Sequence, residues 1–219
     1  MVVSQYRLTL HDHLFYATRE MGRLYETGHY LHNYSLTYAL GLVSTPYFHP
    51  NQVPKYQSQL TPLNQAGIYV TPAKPIQYEF VFHIFKRANV AYYSYQPQTT
   101  VNMPIYGRAK EIAAESTFEF FVISRSPVVL PRWIRLGKWM SKAEINRLWQ
   151  ETVTEKQGAF TVHHPLNPLD IAVSPVAFDL ISMPPVSLVN NARLTGSYYQ
   201  LENIELPANM RYTFPEGSR

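Results

Sequence analysis

The chain opens on alternation. From Val2 to Leu10 (VVSQYRLTL) the apolar members Val3, Tyr6, Leu8 and Leu10 recur at a spacing near two, which predicts a strand with a buried face. His11 to about Gly28 is polar and aromatic without a period, and predicts a long loop. Between Tyr30 and Leu42, the residues Leu31, Tyr34 or Ser35, Tyr38 and Leu42 recur every three to four positions and Gly41 stands near the end, as in a helix. Residues 44–66 carry Pro46, Pro50, Pro54 and Pro62 among polar residues and tyrosines, which predicts an irregular excursion. Strand patterns resume at Gly67–Thr71, Ile76–Phe85 and Val90–Gln96, and 97–108 is a second excursion punctuated by proline. Thr117–Ile123 and Leu130–Leu136 read as strands again. Ser141–Gln150 carries the strongest helix signal, because Ser141 can cap it and Glu144 sits at the capping-box spacing. Further strands are predicted at Ala159–His163, Asp170–Val173 and Tyr198–Leu206, and no repeat, heptad or low-complexity tract interrupts the pattern. This order predicts an α+β fold with few helices, and a ferredoxin-like core with long loop insertions fits it.

Composition narrows the class. The 219 residues suffice for one domain, or one core with a large insertion; insertions are expected near 44–66 and 96–110. With 46% hydrophobic and 16% charged residues a full core is available, which argues against disorder. No apolar run reaches the ~18 residues that span a bilayer, and MVVSQYRLTL does not read as a signal peptide. The absence of cysteine excludes disulfides, thiolate metal sites and cysteine nucleophiles, and makes the cytoplasm the expected compartment. A net charge of +4 is only mildly basic. Seventeen tyrosines suit half-buried sheets, protein interfaces and base stacking alike.

Local groupings carry more. Arg125, Arg132, Arg135, Lys138, Lys142 and Arg147 are opposed only by Glu144, and within RWIRLGKWMSK the cations Arg132, Arg135, Lys138 and Lys142 interleave with Trp133 and Trp139. Cations neutralise phosphates, indoles offer stacking faces, and Gly137 lets backbone approach an anion ahead of the predicted helix N-terminus. The competing reading is a solvated strand-to-helix connection with two core tryptophans. HDHLFYATREMGRLYET (His11 to Thr27) sets Arg19 and Arg23 beside Phe15, Tyr16 and Tyr25; a packed loop whose arginines pair with Glu20 and Glu26 is the alternative. His11 and His13 flank Asp12, but no third ligand stands nearby, so neither a metal nor another cofactor is expected. No P-loop, GxGxxG or GxSxG occurs, which argues against the familiar enzyme classes.

Taken together, RLTLHDHLFYATREMGRLYET, HNYSLTYALGL and RLGKWMSKAEI resemble the Cas-five-type subunit, Csc-one, of type I-D CRISPR interference (Cascade) complexes. That family lies within the repeat-associated RNA-binding (RAMP) superfamily. The resemblance implies a modified ferredoxin-like (RRM-like) core with a β-hairpin thumb, forming a single RNA-binding domain over 1–219. It implies a non-catalytic subunit that holds the crRNA 5′ handle and caps the filament of Cas-seven-type subunits beside the large subunit, in recognition of invading DNA. A contact with target DNA near the protospacer-adjacent motif follows from that position, and no membrane is involved. The family's Leu-Gly-basic loop matches Leu136, Gly137 and Lys138, which implies handle binding by Arg135, Gly137, Lys138, Trp139 and Lys142, and the local grouping of cations adds Arg132 as an RNA-binding residue. The loop after the first strand implicates Arg19, Arg23 and Tyr25. The thumb is expected at 96–108, with Tyr95, Tyr106, Arg108 and Lys110 at or near its base. Two alternatives stay open: a repeat-processing endoribonuclease of the same superfamily, and an adaptor that binds protein only. The single glycine in LTGSYYQLENIELPANM departs from the glycine-rich loop of the processing enzymes.

Overall fold

The computed structural model describes residues 1–43, 55–87, 105–201 and 204–214. Among them it is a mixed structure of mostly strands, with fourteen strands in three sheets and two helices. In chain order these are β1 (Val2–Leu10), β2 (Arg19–Met21), β3 (Leu24–Glu26), α1 (Asn33–Ala39), α2 (Tyr56–Ala66), β4 (Ile68–Val70), β5 (Lys74–Gln77), β6 (Phe80–Arg87) and β7 (Ile105–Ile112). There follow β8 (Thr117–Ser124), β9 (Trp133–Leu136), β10 (Ser141–Thr152), β11 (Glu155–Val162), β12 (Ala177–Ile181), β13 (Leu188–Gln200) and β14 (Glu205–Pro207).

β1 lies at the centre of the largest sheet, between β8 and β10, and all its pairings are antiparallel. β9 extends the sheet beyond β10, while β4 and β5 share the far side of β8. Both faces of the β1–β8 pair are buried. Tyr6, Leu8, Leu10, Phe118, Phe120 and Val122 join Leu31, Leu36 and Leu40 around α1, whereas Val3, Phe121 and Ile123 pack onto Phe160, Val162, Val189 and Leu194 of the β11–β13 sheet. That two-sided burial explains why TFEFFVIS reads as a nearly continuous apolar run.

A network of buried polar groups ties the helical side to the C-terminal segment. The Asp170 carboxylate accepts from the Asn33 amide and Tyr69 hydroxyl, at 2.8 and 2.9 Å, and from the Thr213 backbone at 2.8 Å. Tyr212 reaches Thr37 and the Val70 amide. Burial pushes Asp170 up to about 7 against the pull of these donors.

Several expectations are corrected. Ser141–Gln150 is no helix: it is most of β10, a strand bonded to β1 on one side and β9 on the other. A helix would have satisfied only its own backbone; the strand closes two ladders and buries Ser141, Ala143 and Ile145 alternately. Residues 56–66 of the first predicted excursion form α2, with Pro62 inside it. Pro62 and Ser58 are exposed, so the carbonyl that proline leaves without its helical donor faces solvent, while Leu60 and Leu63 bury the other side. Residues 105–108 belong to β7, and the loop predicted after β1 contains the β2–β3 hairpin. Asp170–Val173 is a bend that delivers the network carboxylate, and the predicted Tyr198–Leu206 strand divides between β13 and β14. The Val90–Gln96 strand and Tyr95 lie outside the described residues.

Candidate nucleic-acid interface

The β9–β10 hairpin turns through Gly137–Met140, after the last ladder pair, Leu136 with Ser141. Gly137 has φ +71° and Met140 φ +56°, so the turn depends on left-handed backbone. It is sealed onto the segment after β1: the Lys138 amide donates to the Phe15 carbonyl at 2.8 Å, and the Trp139 ring stacks on Phe15 with centroids 4.4 Å apart. Ser141, expected to cap a helix, donates its hydroxyl to the His13 carbonyl at 2.6 Å. The Arg135 guanidinium donates to the Met140 carbonyl at 3.0 Å, across the turn.

The cations differ in how committed they are. Arg132 donates to Glu144 at 2.8 Å, and this bond holds the Glu144 carboxyl below its ordinary range. Arg135 lies 3.6 Å from Asp12, whose carboxylate also accepts the Lys142 backbone amide at 2.8 Å. Both pairs are solvent-exposed on the arginine side, where ion pairs are weak and give way readily to a phosphate. The Lys142 ammonium sits 4.0 Å from the Trp133 ring centre, and the edge of His11 meets the same indole at 5.0 Å. Trp133 and Trp139 are both exposed, so they are not core tryptophans.

The second group stands on the small sheet β2–β3–β7–β6. Arg19 and Arg23 are exposed on the β2–β3 hairpin, which turns at Gly22 with φ +60°. β3 runs parallel to β7, setting Leu24 opposite Arg108, Tyr25 opposite Ala109 and Glu26 opposite Lys110. Lys110 is held by Glu26 at 2.7 Å and lies 4.0 Å from the Phe80 ring centre; this bond lowers the Glu26 carboxyl. Tyr25 leans on Phe85, which covers Gly107 so closely that a β-carbon there would lie 2.5 Å from its ring. Phe82, Ile84 and Tyr106 are each more than half exposed.

The structure brings the two groups together. Leu14 bridges to Ile112, Phe15 touches Trp139, and the His83 ring of β6 meets Trp139 edge-on at 6.0 Å. The surface thus runs from Trp133 and Lys142 across the turn to the β6–β7 hairpin. Sequence reasoning missed Phe15, Asp12 and His83 as organising residues; an aromatic and an acid after a strand carry no signal of what they will touch. His11 and His13 do not act together: His13 accepts the Ala114 amide at 3.0 Å while His11 faces Glu144 at 3.7 Å. Among the described residues no group of three or more His, Asp or Glu side chains could hold a metal ion.

A family model for the type I-D CRISPR-associated protein Cas5/Csc1 matches residues 1–215. No protein of curated function matches the chain in sequence. Solved structures similar to it include a chain of a type III-B Cmr-beta complex bound to cognate target RNA and AMPPnP. That likeness has TM-score 0.49 and 8% identity, covering 87% of this chain and 86% of that one. A CRISPR protein from Archaeoglobus fulgidus is similar with TM-score 0.45 and 11% identity, over 97% of this chain and 100% of that one.

Proposed function

The chain belongs to the type I-D CRISPR-associated Cas5/Csc1 family, and from that premise we propose that it is the non-catalytic subunit holding the crRNA 5′ handle in a type I-D Cascade complex. It acts in the cytoplasm as one RNA-binding domain built on a modified ferredoxin-like core around β1, β8 and β10. It caps the backbone filament beside the large subunit, at the end where the protospacer-adjacent motif of invading DNA is met.

The observation that carries this reading is the β9–β10 turn. Arg135 and Lys138 flank Gly137, whose left-handed backbone closes the turn, and Trp139 offers a half-exposed indole on the same turn. Exposed cations on a tight turn grip phosphates without regard to sequence, and indoles stack on whichever base arrives. Arg132 and Lys142 extend the grip along the hairpin. Arg19, Arg23 and Tyr25 continue it on the small sheet. The β6–β7 hairpin serves as the thumb, with Tyr106 and Arg108 reaching the RNA and Lys110 bracing the hairpin through Glu26.

The test is an Arg135→Ala, Lys138→Ala double variant, followed through crRNA retention in the purified complex and handle affinity across a salt series. Single-stranded RNA releases about 0.7 counterion per neutralised phosphate, so the salt slope should shallow by about 1.4. Retention and slope unchanged from wild type would overturn the assignment.

A further inference from the structure

Behind the β9–β10 turn lies a cavity of about 310 Å³ whose described walls include Tyr16, Leu31, His32, Ser35, Tyr56 and Pro184. Arg135 of β9 and Gly137 and Lys138 of the turn also line it, so the basic hairpin forms part of its wall. None of the described lining residues is acidic. The volume is at the low end for ligand sites, which suits a single planar ring system rather than a larger ligand.

We propose that one base of the bound RNA is everted into this cavity, where it is held by shape and ring contact while Arg135 and Lys138 hold its flanking phosphates. The inference rests on the RNA-binding reading above and adds where one nucleotide goes. Cations on the wall, of which Arg135 alone meets a carboxylate, the exposed Asp12, favour a nucleotide over an apolar side chain of a protein partner, because a phosphate displaces so weak a pair.

The side-chain donors of Tyr16, His32 and Ser35 are all engaged inside the protein, and this shapes how the cavity reads its occupant. The Tyr16 hydroxyl donates to the carbonyls of Gly28 and Tyr30. Both nitrogens of the His32 ring are engaged: Nδ1 accepts the Tyr34 amide at 3.2 Å, and Nε2 donates to the Val186 carbonyl at 3.2 Å. Burial lowers His32 to about 4, so the ring is neutral at pH 7 and fits that arrangement. The Ser35 hydroxyl donates to the His32 carbonyl at 2.9 Å. With these groups already paired inside the protein, the walls offer area and stacking rather than a donor–acceptor code. The cavity therefore accepts any base and rejects the absence of one.

The experiment measures handle RNA binding to the full chain by fluorescence anisotropy, with an abasic site stepped through the handle. Base stacking of about 1–3 kcal/mol converts to a loss of roughly 5- to 150-fold at one position. At that position the four bases should bind within about twofold of one another. In an Ala39→Trp variant, whose indole fills the cavity from α1, intact RNA should bind about tenfold more weakly and the abasic site should no longer matter. Uniform tolerance of abasic sites, with Arg135 and Lys138 still needed, would overturn the cavity assignment and leave the RNA-binding reading standing. Absence of any handle binding by wild-type protein would instead overturn that reading. A position at which base swaps cost as much as base removal would overturn readout by shape. Photo-cross-links from Tyr16 to another subunit, with none to RNA, would assign the cavity to a protein side chain. The abasic series needs no variant, so the proposal stays testable if Ala39→Trp does not fold.

Discussion

Gly137 sits against Phe15 so closely that a β-carbon on it would lie 2.6 Å from the Phe15 carbonyl oxygen and equally near the Leu14 side chain. A backbone oxygen cannot swing aside as a side chain can, and φ of +71° already disfavours any other residue. The hairpin that carries Arg135 and Lys138 is thereby welded to the segment after β1.

Gly137→Ala should destabilise the protein by about 2 kcal/mol, since it combines left-handed strain with a backbone clash. Urea unfolding checks the magnitude, and RNA affinity of the folded fraction should fall with it. A Gly137→Ala protein as stable as wild type would mean that the seal onto Phe15 is looser than the geometry indicates.

Trp139→Ala should weaken handle binding by about 1–3 kcal/mol while leaving the salt slope unchanged, because stacking removes no counterions. The pattern is the converse of the Arg135, Lys138 variant. A shallower slope without loss of affinity at low salt would contradict a stacking role.

Phe82, Ile84 and Tyr106 are exposed on β6 and β7, and ladder pairing puts Phe82 and Ile84 on the face of Lys110 and Arg108. Exposed apolar groups in a row mark a surface that is covered in an assembly. The Phe82→Ser, Ile84→Ser double variant should leave the isolated chain within about 0.5 kcal/mol of wild-type stability per substitution, yet reduce its incorporation into the complex. Size-exclusion chromatography with the other subunits reads the outcome; full incorporation would show that this face stays open to solvent.

The pH dependence of stability should be set in part by three buried groups. Burial lowers His32 to about 4 and His164 to about 3, and raises Asp170 to about 7. The histidines, depressed in the folded state, contribute stability above their unfolded value of about 6.5 that is lost as pH falls. Asp170, raised in the folded state, contributes stability at low pH that is lost as pH rises through about 7. Near pH 5 to 6 unfolding therefore takes up about two protons on the histidines and releases about one from Asp170. The trio makes stability fall by about 1.4 kcal/mol per unit of acidification. His164→Asn should bring that contribution near zero, and Asp170→Asn should about double it. Denaturant titrations at two pH values, compared between variants, decide it; identical slopes in all three proteins would exclude the trio.

Much of the central sheet was legible along the chain. The alternation of Val2–Leu10 matches β1, and TFEFFVI matches β8 to within a residue. The basic and aromatic residues of RWIRLGKWMSK are local neighbours, so their grouping needed no tertiary information. The capping-box spacing at Ser141 and Glu144 misled because both side chains found distant partners, His13 and Arg132, once β10 lay between β1 and β9. Pro62 misled because an exposed helix tolerates one missing donor when its other face is buried.

What the sequence by itself determined is the family, which the whole length of the chain carries, and the strand at the heart of the sheet and the cationic grouping beside Gly137, which depend on residue types within a short span. What only the tertiary structure decided is which of those charges are committed and what lies behind the turn. Asp12 stands 123 positions before Arg135, and His32 and Pro184 meet in one cavity wall from opposite ends of the chain. Such meetings follow from how sheets stack and helices dock over long loop closures, and no spacing along the chain encodes them.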